Sequence, residues 1–199
     1  MSLGSVGPPL LFAVVATVTP GGATTLATAS GSQFGFRRSV PLMAGIALAL
    51  ASLAAAASLG LANALLAAPS LQLTAKIAGT AYLLWLARNI ARSGVPKNAA
   101  LKAPTSLVGG FVLLWLNPKG WARTMSAAAT FTDSEGGPLH LAALLAGAFG
   151  LAAAASLTLW CSAGLLFARL LRTPAQWRVL NVVLAMLLVA SVVPMWLER

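Results

Sequence analysis

The chain has 199 residues, of which 59% are hydrophobic and only 8% charged, and it carries a formal net charge of +10. Its mean hydropathy of +0.87 indicates an integral membrane protein, because a soluble domain of this length exposes too much surface and carries about 25% charged residues. The cations are spread between apolar segments instead of lying along one helix face, which argues against a nucleic-acid partner.

Six apolar runs have the length of about 20 residues that a membrane-spanning helix needs. They predict an all-α membrane protein that forms a single transmembrane domain over residues 1–199. The six predicted transmembrane helices cover Ser5 to Thr28, Leu42 to Ala67, Leu71 to Ile90, Leu107 to Thr130, Leu139 to Leu170 and Leu180 to Leu197. The first run is expected to be retained and not cleaved as a signal peptide, since no basic residue precedes it.

The connections between these runs differ in charge. Arginine or lysine residues lie in the connections at 31–41, 88–104 and 169–178, whereas 68–70 is uncharged and 132–138 has only acidic residues. The positive-inside rule therefore places the first three connections in the cytoplasm. Both termini are predicted to be periplasmic.

Two of the predicted helices contain a proline in their interior. Pro20 interrupts the first helix and Pro118 the fourth, and each is followed closely by glycine. Proline removes an amide donor and clashes with the preceding turn, so nearby carbonyl groups lose their helical partners. Within hydrocarbon such groups are tolerated only where other helices or a wet cavity satisfy them. We therefore expect helices 1 and 4 to be broken at Pro20 and Pro118.

The two halves of the chain also resemble each other at an offset of 98 residues. Pro20 then falls on Pro118, and the run Ala-Ala-Ala-Ala-Ser-Leu at 54–59 falls on the same letters at 152–157. Three helices per half make the two repeats, 1–98 and 99–199, inverted in the membrane. Broken helices from inverted repeats that meet near the bilayer midplane are typical of substrate sites in secondary transporters.

Residues around the breaks are therefore the candidate substrate-binding set. Lys119 and Arg123 lie four residues apart on one helical face and would attract an anionic group such as a carboxylate. Threonine hydroxyls and the Asn117 amide would hold an ammonium group. The predicted substrate-binding residues are Thr19, Pro20, Gly21, Gly22, Thr24, Thr25, Asn117, Pro118, Lys119 and Arg123, with Tyr82 and Lys76 from the third helix.

For three residues, a position at the membrane interface is an alternative to a role in transport. Lys76 is near the predicted outer end of the third helix, where lysine snorkels readily. Tyr82 fits an aromatic belt at the membrane interface or a substrate path. The lone His140 fits an interfacial position or a role in proton coupling.

Several chemistries are excluded by what the sequence lacks. Asp133, Glu135 and Glu198 are the only acids, and all lie outside the predicted spans, so no intramembrane carboxylate is available as a proton relay. Cys161 is the only cysteine, which excludes an intrachain disulfide or paired-thiol electron carrier. No nucleophile elbow, P-loop or dinucleotide motif occurs. We expect neither an enzyme nor a cofactor or metal site.

Four motifs in order resemble the LysE/RhtB family of amino acid exporters. They are Thr19-Pro20-Gly21, Gly35-Phe36-Arg37-Arg38, Gly79-Thr80-Ala81-Tyr82-Leu83 and Asn117-Pro118-Lys119, and the similarity extends to residues 181–188. Within the family, residues 82–87 and 180–185 are most similar to the branch that exports cysteine and O-acetylserine. The chain departs from the family pattern at Gly22 and Thr24, where proline and asparagine are common, and at 49–51, where many members have glycine and aspartate.

The resemblance implies an exporter of amino acids or their derivatives in a bacterial inner membrane, working against proton entry. Its partners would be a small amino acid substrate and the lipid bilayer, with homo-oligomerisation left open. The alternative is a structural or regulatory membrane subunit that has kept the fold and lost transport. The missing acid at 49–51 and the departures at Gly22 and Thr24 of the first break motivate that alternative.

Overall fold

A computed structural model describes residues 3–60, 69–92, 105–132, 137–193 and 196. Across these residues the chain forms eight α-helices and no strand. They are α1 (Leu3–Val18), α2 (Gly22–Phe34), α3 (Phe36–Ser58), α4 (Pro69–Arg92), α5 (Leu107–Trp115), α6 (Pro118–Thr130), α7 (Gly137–Leu170) and α8 (Pro174–Ala190). The predicted all-helical architecture is confirmed.

Two of the described helices, α3 and α7, are long and apolar enough to cross a membrane. A third span results if α1 and α2, which are bent by 61° at a short break, are counted as one. Helix α8 is apolar but shorter. The count of six spans stays a prediction.

The segment 31–41, predicted as a connection, is helical on both sides of a single residue. Helix α2 continues to Phe34 and α3 begins at Phe36, so only Gly35 lies between them. Gly35 has a φ of 81°, which glycine adopts without strain, and one residue therefore makes the turn. The prediction failed because hydropathy marks where apolar side chains stop, whereas a helix ends where its backbone turns.

The connection at 169–178 is shorter than predicted for the same reason. Helix α7 ends at Leu170 and α8 begins at Pro174. Thr173 caps α8, since its hydroxyl accepts the amide of Gln176 (3.2 Å) and the Gln176 side chain accepts the amide of Thr173 (3.1 Å). This reciprocal capping box begins the helix among polar residues, six positions before the apolar run.

Helices α3 and α7 pack along each other through the centre of the molecule. Leu53, Leu145 and Phe149 are fully buried in this core. Helices α1 and α2 pack on α7, while α5 and α6 pack on α3. Helix α4 packs mainly on α8, which in turn contacts α2. The α4–α8 pair is thus the part of the described chain that is joined least extensively to the α3–α7 centre.

Glycine allows the closest helix crossings. A side chain at Gly31 would meet the backbone of Cys161, and one at Gly164 would meet the backbone of Thr28, so α2 and α7 touch backbone to backbone. Small residues permit this kind of approach in membranes, where packing and not water exclusion drives helix association. Large apolar side chains such as Leu48, Leu151 and Leu159 are exposed on the outside. They form a surface suited to lipid.

Candidate functional site

The first break separates α1 from α2 at residues 19–21. The two last carbonyl groups of α1 are satisfied from α7, as the Ser156 hydroxyl donates to the Thr17 carbonyl (2.8 Å) and the Trp160 indole N–H donates to the Val18 carbonyl (3.2 Å). These bonds replace helical bonds that the break removes. The break is therefore held open by side chains from a neighbouring helix.

Thr24 organises the start of α2. Its hydroxyl accepts the Gly21 amide (2.8 Å) and donates to the Gly21 carbonyl (2.9 Å), and the side chain is 4% exposed. A threonine hydroxyl that satisfies a free amide at a helix start stabilises the helix in the manner of a cap. Thr24 thus has a structural role at the break, whatever else it contacts.

The second break lies between α5 and α6, at Leu116 and Asn117. Asn117 is buried and caps α6, because its Oδ1 atom accepts the Lys119 amide (3.0 Å) and its carbonyl accepts the Gly120 amide (2.9 Å). Pro118 is the first residue of α6. Proline suits this position, where the missing N–H has no helical partner to lose. The sequence Asn-Pro therefore ends one helix and begins the next.

Two tryptophans fix the second break against α3. The indole N–H of Trp121 donates to the Trp115 carbonyl (3.0 Å), and the two rings meet edge to face with centroids 5.2 Å apart. Trp115 in turn donates to the Ser52 hydroxyl of α3 (3.0 Å). The last turn of α5 is thus satisfied by a side chain from α6, as α1 is by side chains from α7.

The two breaks line one cavity of about 50 Å³. By the usual allowance of about 10–15 Å³ per water, it holds a few water molecules in this conformation. Seven of the predicted site residues line it, namely Thr19, Gly21, Gly22, Thr24, Asn117, Lys119 and Arg123. Residues 98 positions apart in sequence therefore face the same small space.

Lys119 reaches from the second break to the first. A Cβ atom placed on Gly21 would lie 3.7 Å from the Lys119 Nζ atom, so the ammonium group lies against the backbone of the first break. Helices α2 and α6 both begin at this cavity, and the N-terminal end of a helix carries partial positive charge. With Arg123 also in the lining, the site is electropositive and suited to an anionic group.

Four predicted site residues are absent from the described lining of this cavity. Pro20 is exposed, and Thr25 is buried but does not line the cavity. The side chain of Pro118 lies outside the described residues. Lys76 and Tyr82 are on α4 and are absent from the described lining; Tyr82 stacks at a tilt on Trp85, with centroids 5.8 Å apart. A role of these two α4 residues in binding substrate stays a prediction.

Other residues of the site were not predicted. Thr17, Ser156 and Leu157 line the cavity together with apolar side chains of α3, α5 and α7. A signal for Ser156 was present, because it occupies the position equivalent to Ser58 in the repeated Ala-Ala-Ala-Ala-Ser-Leu run. Its partner was not predictable, since the Thr17 carbonyl lies 139 residues away.

Helix α4 approaches the site at two glycines. A Cβ on Gly79 would lie 2.5 Å from the Leu116 carbonyl oxygen, so α4 crosses the second break in close contact. Gly22 faces Leu83 of α4 and Ser191 beyond α8, with a hypothetical Cβ 3.6 Å and 3.3 Å away.

Comparison with known proteins gives the same family for most of the chain. The family model described as LysE type translocator matches residues 14–193. The cysteine/O-acetylserine efflux proteins of Escherichia coli (strain K12), Shigella flexneri and Shigella sonnei (strain Ss046) are each 32% identical over 185 residues, covering 89% of this chain and 90% of theirs. No solved structure matches the chain significantly. The resemblance found in the motifs is confirmed, and the chain belongs to the LysE type translocators, a family of membrane transport proteins and not of enzymes.

Proposed function

We propose that this protein exports amino acids or small amino acid derivatives across the bacterial inner membrane as a secondary transporter driven by proton entry. The observation that carries the proposal is the single electropositive cavity into which both helix breaks and Lys119 converge. The relatives named as cysteine/O-acetylserine efflux proteins point to a small zwitterion as the substrate class.

In the proposed binding mode, the carboxylate lies between Lys119, Arg123 and the start of α2. Cationic side chains and a helix N-terminus each favour a negative group there. The ammonium group faces the Thr19 hydroxyl and the Asn117 side chain, with the Ser156 oxygen close by in the same lining. A cavity of about 50 Å³ is narrow for such a ligand, so binding requires the surrounding helices to move apart.

The internal repeat supports alternating access as the transport mechanism. Shifted by 98 residues, α2 becomes 120–132, which overlaps α6 at 118–130, and α3 becomes 134–156, which overlaps the first part of α7 at 137–170. Two inverted three-helix repeats, 1–98 and 99–199, would rock around the fixed site between the breaks. In this mechanism both termini are periplasmic. The mechanism operates within one chain and is compatible with a homo-oligomer.

The proposed proton coupling uses Lys119. Among the described residues, the cavity lining contains no carboxylate that could carry a proton. A bound substrate carboxylate favours the protonated form of a neighbouring lysine, because opposite charges stabilise each other. Release of the carboxylate and deprotonation of Lys119 would then be linked steps.

An efflux assay with Lys119→Ala tests the proposal. Cells or proteoliposomes loaded with labelled O-acetylserine should export it at a rate reduced about tenfold or more, as expected when a charged hydrogen-bond donor to the substrate is removed. Arg178→Ala is the matched control, since Arg178 is an exposed cation on α8 away from the cavity. Undiminished export by a well-expressed Lys119→Ala protein would rule out this binding mode. No export of any amino acid by the native protein would favour the non-transporting subunit.

A further inference from the structure

A second, smaller cavity lies at the opposite end of α2 from the breaks. It has a volume of about 20 Å³ and lies between α2, α4 and the residues that precede α5. Leu86 and Ile90 of α4 form its apolar wall, and Ser30, Gln33 and Thr105 supply its polar groups. The proposed transport site does not include any of these residues.

Gln33 is the unusual member of this lining. The residue is 9% exposed, and neither its Nε2 nor its Oε1 atom has a hydrogen-bond partner among the described residues. Buried side-chain amides are nearly always hydrogen-bonded, so an amide without a partner that lines a cavity indicates a ligand of matching polarity. Glutamine offers two donors and an acceptor in one group, which matches a zwitterion or water.

Ser30 contributes acceptor positions to the same space. Ser39 donates its hydroxyl to the Gly35 carbonyl (2.9 Å), so in the 2.7 Å contact between the two serines Ser30 is the donor. The oxygen of Ser30 therefore keeps lone pairs for another donor. With the Gln33 amide, the cavity combines donors for a carboxylate and acceptors for an ammonium group.

The position of this cavity separates it from the first site. Gln33 follows Thr24 by nine residues, which is roughly 13 Å along an α-helix. A small amino acid does not span that distance. Gln33 is also close in sequence to Arg37 and Arg38, at the end of α2 that the positive-inside rule places toward the cytoplasm. A substrate that leaves the cytoplasm along α2 would reach Gln33 before Lys119.

The helix that covers the cavity is the one least tied to the centre. Helix α4 packs mainly on α8, and it closes this space against α2 with leucine and isoleucine side chains. About 20 Å³ admits one or two waters in the closed arrangement. Movement of the α4–α8 pair away from α2 would enlarge the cavity, and the Gln33 amide has no hydrogen bond among the described residues that this movement would break.

We propose that Gln33, with Ser30 and Thr105, forms a second substrate-binding site at the cytoplasmic end of α2. It takes a small zwitterionic amino acid on its way to the cavity between the breaks. This inference rests on the proposed export function. The Gln33 amide, which has no hydrogen-bond partner among the described residues of the closed protein, would bind the ligand when the cavity opens.

The test compares Gln33→Met with the native protein in proteoliposomes and in detergent. Methionine keeps the length of glutamine and removes its hydrogen-bonding groups. We expect the KM for O-acetylserine export to rise roughly three- to tenfold, the effect of losing hydrogen bonds to a ligand. We also expect the ligand-free protein to unfold at the same or a higher temperature, because a buried amide without partners has been replaced by an apolar group. Gln33→Asn, which keeps the amide on a shorter side chain, should give an intermediate KM.

Ser32→Ala is the matched control. Ser32 is buried next to Gln33 but off the cavity, and its hydroxyl donates to the Ala29 carbonyl (2.9 Å). An unchanged KM in both Gln33 variants overturns the inference while leaving the export function intact. A lower unfolding temperature of the ligand-free Gln33→Met protein, with an unchanged KM in Gln33→Asn, assigns Gln33 a structural role and also overturns it. Absence of export by the native protein overturns the proposed function and this site with it.

Discussion

Single side chains replace the backbone hydrogen bonds that the two breaks remove. The Ser156 hydroxyl and the Trp160 indole satisfy the end of α1, and the Trp121 indole satisfies the end of α5. In the hydrocarbon core of a membrane, no water is available to hydrogen-bond an unsatisfied carbonyl. The stability of each break therefore depends on one or two identifiable donors.

Ser156→Ala tests this dependence. The change leaves the Thr17 carbonyl without its donor in a buried position, so we expect the free energy of unfolding to fall by about 1–3 kcal/mol. Thermal unfolding of the purified protein in detergent measures it. Ser58→Ala is the control, because Ser58 holds the equivalent position in the first repeat but donates only to Ala54 in its own helix. Equal effects of the two changes would show that Ser156 has no special role.

Thr24→Val tests the start of α2. Valine has nearly the shape of threonine but lacks the hydroxyl that bonds both backbone groups of Gly21. Loss of a helix cap lowers the free energy of unfolding by about 1 kcal/mol, so we expect Thr24→Val to unfold at a lower temperature than the native protein. Thr24→Ser keeps the hydroxyl and should remain near the native value. A Thr24→Ser protein as unstable as Thr24→Val would assign the effect to packing of the methyl group.

At the scale of helices, the closest contacts are made by backbones and not by large side chains. Gly164 on α7 faces the Thr28 carbonyl, and Gly31 on α2 faces the Cys161 backbone. Close-packed interiors tolerate added volume poorly. The crossing of α2 and α7 positions one wall of the cavity, since both the start of α2 and Ser156 belong to its lining.

Gly164→Ala should therefore destabilise the protein. The added methyl group meets backbone atoms that cannot rotate away, and overpacking of this kind reduces the free energy of unfolding by about 1–3 kcal/mol. Gly147→Ala on the same helix is the control, because a Cβ there has no neighbour within 4 Å. Alanine favours the helix over glycine, so this second change should be neutral or stabilising. Thermal unfolding in detergent distinguishes the two, and equal losses would exclude the crossing as the cause.

The sequence predicted the breaks well and the helix ends poorly. Pro20 and Pro118 determine their own local geometry, because a missing N–H and a fixed ring act on the adjacent turn in any fold. The continuation of helix past Arg37 and Arg38 depends on the turn at Gly35, which hydropathy does not report. The convergence of Lys119 on Gly21 was inferred only through the repeat. Lys76 and Tyr82 of α4 do not line the cavity among the described residues, so their place in a substrate path stays a prediction, because helix packing decides which faces meet.

For the whole molecule, the distribution of charge predicts the orientation in the membrane. Basic residues lie at 37–38 and 169–178, whereas the acids Asp133 and Glu135 follow α6 in the sequence. Because lysine and arginine remain on the cytoplasmic side during insertion, the turn at Thr132 should face the periplasm and Arg172 the cytoplasm.

Single-cysteine labelling measures this orientation. Cys161 is fully buried, and replacing it by alanine gives a background without thiols. In that background Thr132→Cys should react with a membrane-impermeant maleimide in intact spheroplasts, whereas Arg172→Cys should react only in inverted vesicles. Both positions are exposed, so reactivity reports the side of the membrane. The reverse pattern would invert the topology and place Gln33 at the outer end.

The hydrogen bonds at the first break also constrain the order in which the protein is made. The donors for Thr17 and Val18 lie 139 and 142 residues later in the chain. At ordinary synthesis speeds of about 5–20 residues per second, Thr17 and Val18 are made roughly 7–28 s before their donors exist. The first break therefore reaches the hydrogen-bonded form described above only after Ser156 and Trp160 of α7 have been made, and a chain that ends before Ser156 lacks both donors.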